Sequence, residues 1–272
     1  MSSSKVCLAI FLLILTLSAH AANSVLSLSH YDENGLDFSD LQRGGLEGII
    51  HEATYPAFDF DSKYPYRQAE AMRAGLLWGA YHFANGSDGR RQADHFVDFV
   101  AGQWTRGHNP AQPSGVLLVL DAEQNTHYPG GNMTVDQAVR FIERVHERTG
   151  LYPGLYSNEN WIRHLFNDPA VGSGERELLR KCWLWIANYH NPPATTAPWP
   201  AWTLWQYTGD GICGLPRSMY PTSFGNLRRV ERTIFSGDRI TLRHFWAEHS
   251  WLPEKEVAAT GAAGGGSEAG LR

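Results

Sequence analysis

Five times in succession this sequence sets a short apolar run of strand length ahead of a stretch with helical periodicity, and no other feature constrains its fold as tightly. The runs occupy residues 25–30, 48–54, 76–83, 116–123 and 152–157. Runs of this length read as buried strands, and their alternation with helices points to a parallel sheet that the helices cover. The helix after the fourth run is the clearest. Thr134 is placed to cap it, Gln137 could complete a capping box, Ala138, Phe141, Ile142 and Val145 share one face, and Gly150 can end it. Beyond the fifth unit the pattern changes: residues 182–189, 202–207 and 230–235 are strand candidates separated by Pro- and Gly-rich loops, without a long helix. The expected fold class is α/β, an irregular TIM-like barrel of five βα units followed by three β-strands, with an open doubly wound sheet as the alternative. The 272 residues, 43% of them apolar, suffice for one such core.

Residues 1–22 stand apart. Lys5 precedes a mostly apolar run at 6–17, and Ala19-His20-Ala21 fits a small-residue cleavage site, so a signal peptide is expected and the mature protein is expected to be secreted, periplasmic or extracellular. The run is shorter than the ~20 residues that span a bilayer, so no stable membrane anchor is expected after cleavage. The barrel domain is expected over residues 23–252 as a monomer, with the Gly- and Ala-rich residues 253–272 as a flexible tail. Removal of the leader takes Cys7 with it and leaves Cys182 and Cys213, which fit either one disulfide or two buried thiols. A formal charge of −5, with Arg140, Arg144 and Arg148 interleaved with Glu143 and Glu147, argues against a nucleic-acid partner. Of the 10 Trp residues, eight (Trp161, Trp183, Trp185, Trp199, Trp202, Trp205, Trp246 and Trp251) lie in the second half. They imply either a heavily aromatic core or a surface that stacks on flat ligands such as sugar rings.

In a barrel of parallel strands the reacting groups sit at the C-terminal strand ends. The fourth run, Val116-Leu-Leu-Val-Leu-Asp121-Ala122-Glu123, ends in two carboxylates. Side chains at i and i+2 lie on one side of a strand, ~6.5–7 Å apart along it, so both carboxylates would face the barrel mouth. Neighbouring, partly desolvated carboxylates repel, which raises one pKa and leaves the other group ionised, as glycoside hydrolysis requires. Spacing alone leaves metal ligation and a solvated structural role open. The adjacent strands end in Gly79-Ala80-Tyr81-His82-Phe83, Gly154-Leu155-Tyr156-Ser157, Leu184-Trp185-Ile186-Ala187-Asn188-Tyr189 and Trp202-Thr203-Leu204-Trp205-Gln206-Tyr207.

Together with Ser29-His30 and His51-Glu52-Ala53-Thr54, these segments resemble the glycoside hydrolase family 25 lysozymes, the Chalaropsis-type muramidases, in a secreted bacterial branch, from about Val25 to Trp246. The resemblance implies the barrel already read, and cleavage with retention of the β-1,4 bond between N-acetylmuramic acid and N-acetylglucosamine in peptidoglycan glycan strands. It implies Glu123 as general acid/base and Asp121 as its partner, either the nucleophile or the group that orients the substrate's 2-acetamido group. Tyr81 and Tyr156 match groove tyrosines, and Trp205, Gln206 and Tyr207 match its last wall, with Trp185 and Tyr189 nearby. Glu231 and His30 complete the expected substrate-binding set. His30 and His82 read as hydrogen-bonded residues near the mouth rather than metal ligands.

Three positions depart from the family pattern. Ser27 stands where the first strand carries Asp, and Glu52 where this branch carries Lys. Glu231 stands where the last strand carries Asp, and its extra methylene moves the carboxylate by ~1 Å, a shift that can cost ~100-fold at such a site. Asp32 and Asp37 are the carboxylates placed in sequence to restore charge near the mouth. Ser27 and Glu231 therefore lower the expected activity and keep two alternatives in view: a catalytically impaired glycan-binding protein of the same fold, and a hydrolase of another N-acetylated glycan. No His-Glu-x-x-His or paired Cys-x-x-Cys pattern, Gly-x-Ser-x-Gly elbow or phosphate-binding Gly-rich loop occurs, so neither metal nor organic cofactor is expected.

Overall fold

The computed structural model describes residues 22–107, 115–209 and 211–253. The expected signal peptide and tail lie outside the described residues, apart from Ala22 and Pro253. Eight strands form the barrel: β1 (Val25–Leu28), β2 (Gly48–Tyr55), β3 (Leu77–Phe83), β4 (Val116–Asp121), β5 (Gly154–Asn158), β6 (Leu184–Ala187), β7 (Leu204–Thr208) and β8 (Glu231–Phe235). Each falls on an expected run. Strands β1 to β6 each pair in parallel with their successor, and β8 pairs antiparallel with both β7 and β1. The sheet is thus closed, which removes the open doubly wound alternative. The reversal of β8 also carries its first residue, Glu231, to the end where the other strands finish, opposite Ser27.

Helices α1 (Phe38–Arg43), α2 (Tyr64–Arg73), α3 (Gly89–Gly107) and α4 (Val135–Thr149) follow β1 to β4. After β5 come two short turns, Glu159–Trp161 and Ile162–Phe166, and α5 (Ser173–Leu179). Thr134 caps α4 by accepting from the Gln137 N–H, and Gly150 ends it at φ 75°. The capping box is incomplete: the Gln137 side chain accepts instead from the Gly89 N–H at 2.6 Å, serving the start of the neighbouring α3. A donor at the end of another helix has outcompeted the local one.

Because strand side chains alternate, the barrel has two apolar layers. Val25, Ile50, Leu117, Val119, Leu204 and Phe235 fill its interior. Leu26, Ile49, Trp78, Leu118, Leu120 and Ile186 face outward against helical residues such as Phe96, Phe141 and Ile142. One helix was not anticipated. α6 (Arg239–His249) starts at Asp238, which accepts from the Thr241 N–H, and its Leu242 and Trp246 join the interior layer at the end opposite the mouth. Trp246 Nε1 donates to the Trp78 carbonyl at 2.9 Å. A Cβ on Gly48 would lie 2.9 Å from the Trp246 ring, so glycine is needed there for close approach. Only Leu242 and Trp246 are buried along α6, too thin a stripe to show as helical periodicity. Cys182 and Cys213 are free thiols rather than a disulfide. Among the described residues no helix is long and apolar enough to cross a membrane.

Candidate active site

One inward-facing residue from each strand forms a ring at the mouth: Ser27, Glu52, Tyr81, Asp121, Tyr156, Trp185, Gln206 and Glu231, in strand order. Register sets the ring, with Glu52 opposite Tyr81, Asp121 opposite Tyr156 and Tyr156 opposite Trp185. All eight line a cleft of about 950 Å³, and Glu123 and Tyr189 line it too.

Glu123 lies just past the end of β4, on backbone that β5 holds in place. The Ala122 N–H donates to the Tyr156 carbonyl at 3.0 Å, and the Ser157 hydroxyl donates to the Ala122 carbonyl at 2.7 Å. Asp121 is buried, and its Oδ1 has no hydrogen-bond partner. Burial raises its pKa well above the usual carboxylate range, and the charges of Glu123, Glu52 and Glu231 push in the same direction. The environment therefore favours the neutral form of the inner member of the pair. Around it, burial and the nearby carboxylates hold the phenols of Tyr81 and Tyr156 well above pKa 10, so both remain neutral O–H donors.

Gln206 is the hub of the opposite wall. Its Oε1 accepts from the Tyr156 and Tyr189 hydroxyls at 2.7 and 2.8 Å, and its Nε2 donates to Ser27 Oγ at 2.8 Å and Glu231 Oε2 at 3.0 Å. The Ser27 hydroxyl donates to the same Glu231 oxygen at 2.8 Å. Ser27 thus fits the ring by hydrogen bonding while adding no charge to it.

Three expected substrate-binding residues lie elsewhere. Trp205 and Tyr207 flank Gln206 on β7, so with Gln206 inside, alternation turns both outward. Trp205 Nε1 donates to the Asn188 carbonyl at 2.9 Å, the Tyr207 hydroxyl donates to the Pro221 carbonyl at 2.7 Å, and both rings pack on Tyr220. His30 is not on the cleft wall; its Nδ1 meets Glu52 at 2.5 Å. Of the two acids placed to restore charge, Asp32 lines the cleft, whereas Asp37 caps α1 through the Asp40 N–H. His82 is structural, hydrogen-bonded between Thr54 and Gln92. Glu52, noted in sequence only as a departure, proves to be a buried wall residue whose pKa is pushed up to about 8 by burial and then by Asp61. Its place was readable from alternation, since Ile50 and Glu52 share a face. Tyr31 and Tyr128, also on the cleft wall, come from loops with no period to betray them.

A closed α/β barrel whose open end carries a groove of carboxylates, phenols and an indole is the architecture of a barrel glycosidase. The sequence profile of Glycosyl hydrolases family 25 matches residues 27–214, and the chain belongs to that family. It is 28% identical over 200 residues to Lysozyme M1 of Streptomyces globisporus, spanning 70% of this chain but only 63% of that protein. To the N,O-diacetylmuramidase of Chalaropsis sp it is 26% identical over 206 residues, 72% of this chain and 92% of the relative. The crystal structure of the bacterial lysozyme from Streptomyces coelicolor superposes with a TM-score of 0.63 at 23% identity, covering 84% of this chain and 99% of the other. A family GH25 lysozyme structure from Aspergillus fumigatus gives a TM-score of 0.63 at 24% identity, covering 84% and 100%. At these identities the two structures bear on the fold alone.

Proposed function

We propose that the protein is a secreted peptidoglycan hydrolase, a muramidase that cleaves the β-1,4 bond between N-acetylmuramic acid and N-acetylglucosamine with retention of configuration. The observation that carries this reading is the Asp121–Glu123 pair at the end of β4, one carboxyl buried and one at the cleft surface. Glu123 protonates the leaving glycosidic oxygen and then takes a proton from the attacking water. An ionised Asp121 is costly in its buried position, so it suits hydrogen bonding to the 2-acetamido group, which serves as internal nucleophile, better than direct attack. The neutral phenol of Tyr81 supplies a further donor to the sugar, whereas the Tyr156 hydroxyl already donates to Gln206 and offers its oxygen as an acceptor. Secretion is supported by Lys5, the apolar run at 6–17 and Ala19-His20-Ala21. The names of the relatives, lysozyme and N,O-diacetylmuramidase, support the substrate class.

Loss of turbidity and release of reducing ends from purified cell walls test the reading. Glu123→Gln is expected to lower the rate by about 10²–10⁴-fold. A second reading, a glycan-binding protein that does not cut, is favoured by Ser27, which brings a hydroxyl rather than a charge to Glu231. Wall binding by the wild type without reducing ends at any pH between about 4 and 8 would establish that second reading.

A further inference from the structure

Beside the groove lies a constellation that the proposed reaction does not use. His30 on the loop after β1, Glu52 on β2 and Asp61 on the loop before α2 each offer one ligand atom, and these atoms lie within 4.8 Å of one another. Glu52 and Asp61 are 3% and 0% exposed, so two carboxylates converge out of water. Asp61 Oδ1 accepts from the Lys63 N–H at 2.7 Å, while the buried Oδ2 has no hydrogen-bond partner. His51 Nδ1, at 3.6 Å from that oxygen, is beyond hydrogen-bond reach and already engaged with the Glu52 carbonyl at 2.7 Å.

The two neighbouring cations are turned to backbone. Lys63 Nζ donates to the carbonyls of His30 and Asp32, and Arg67 donates to those of Ser29, Asp32 and Glu33. They build the loop that presents His30, whose Nδ1 meets Glu52 at 2.5 Å, while Asp61 Oδ2 is left without a donor. A buried carboxylate oxygen without a donor is destabilising, and a bound cation relieves it.

We propose that His30, Glu52 and Asp61 form a site for a divalent cation of the Mn²⁺ or Zn²⁺ class, held by one imidazole nitrogen and two carboxylates. The donor set selects the class: imidazole with carboxylates suits borderline ions, whereas Ca²⁺ takes six to eight oxygens. His30 keeps a quarter of its side chain exposed, which gives the ion a path from solvent and room for water ligands. The inference goes beyond the glycosidase reading and stands whether or not the protein cuts glycan.

Isothermal titration of the purified protein with MnCl₂ and ZnCl₂, against CaCl₂ as control, tests the site directly. One equivalent should bind, with affinity lowered at least about 10-fold in Asp61→Asn and in Glu52→Gln. Because either variant could disturb the fold, anomalous diffraction from Mn²⁺-soaked wild-type crystals supplies a second readout, with a peak expected between the three side chains. Absence of binding, equal binding by correctly folded variants, or a peak only elsewhere would overturn the proposal.

Discussion

At Asp121, burial and charge act together: the carboxyl is desolvated, three other carboxylates face it and Oδ1 lacks a donor. Such a group holds a proton in the folded protein that the unfolded chain releases above about pH 4, so stability falls as pH rises from there toward the native pKa. Asp121→Asn should therefore raise the melting temperature at pH 7, with a smaller gain at pH 4, while abolishing reducing-end release. Thermal denaturation showing the same gain at both pH values would refute the electrostatic account. The carboxylate pair itself was legible, because an acid ending a run of five apolar residues has little structural reason to be there. Which carboxyl would be the desolvated one was not, because burial depends on how Glu52 and Glu231 arrive from other strands.

For the elements, alternation decides which side chains reach the groove. On β7 it turns Trp205 and Tyr207 outward because Gln206 faces the groove, although the family motif groups all three in the wall. On β5 the spatial demand is sharper. A Cβ at Gly154 would lie 2.3 Å from the Trp183 ring, which is itself buried in the barrel interior. Gly154→Ala should destabilise the protein by about 1–3 kcal/mol in urea denaturation. Gly174→Ala is the internal control: it lies in α5 with nothing within 4 Å of a new Cβ, and should be neutral or stabilise by up to about 1 kcal/mol. Equal effects at the two glycines would contradict the close-packing reading of β5.

Across the whole molecule, the site and the plug occupy opposite ends of one barrel. Trp246 fills the closed end and reaches the Trp78 carbonyl, while the carboxylates and phenols of the groove gather at the open end. Trp246→Ala should cost about 3–5 kcal/mol in urea, yet leave kcat nearly unchanged at temperatures where the variant remains folded. A kcat that falls in step with stability at such temperatures would show that the closed end shapes the groove.

The eight strands and the carboxylates ending β4 follow from sequence alone, because apolar periodicity is a local property that each segment carries by itself. Tertiary structure decided the rest: the reversal of β8, the plug α6, the burial of Asp121 and the meeting of His30, Glu52 and Asp61. The physical reason is separation along the chain. The hydrogen bond that joins Ser27 to Glu231 links residues 204 positions apart, and no local pattern encodes a contact that exists only once the barrel has closed.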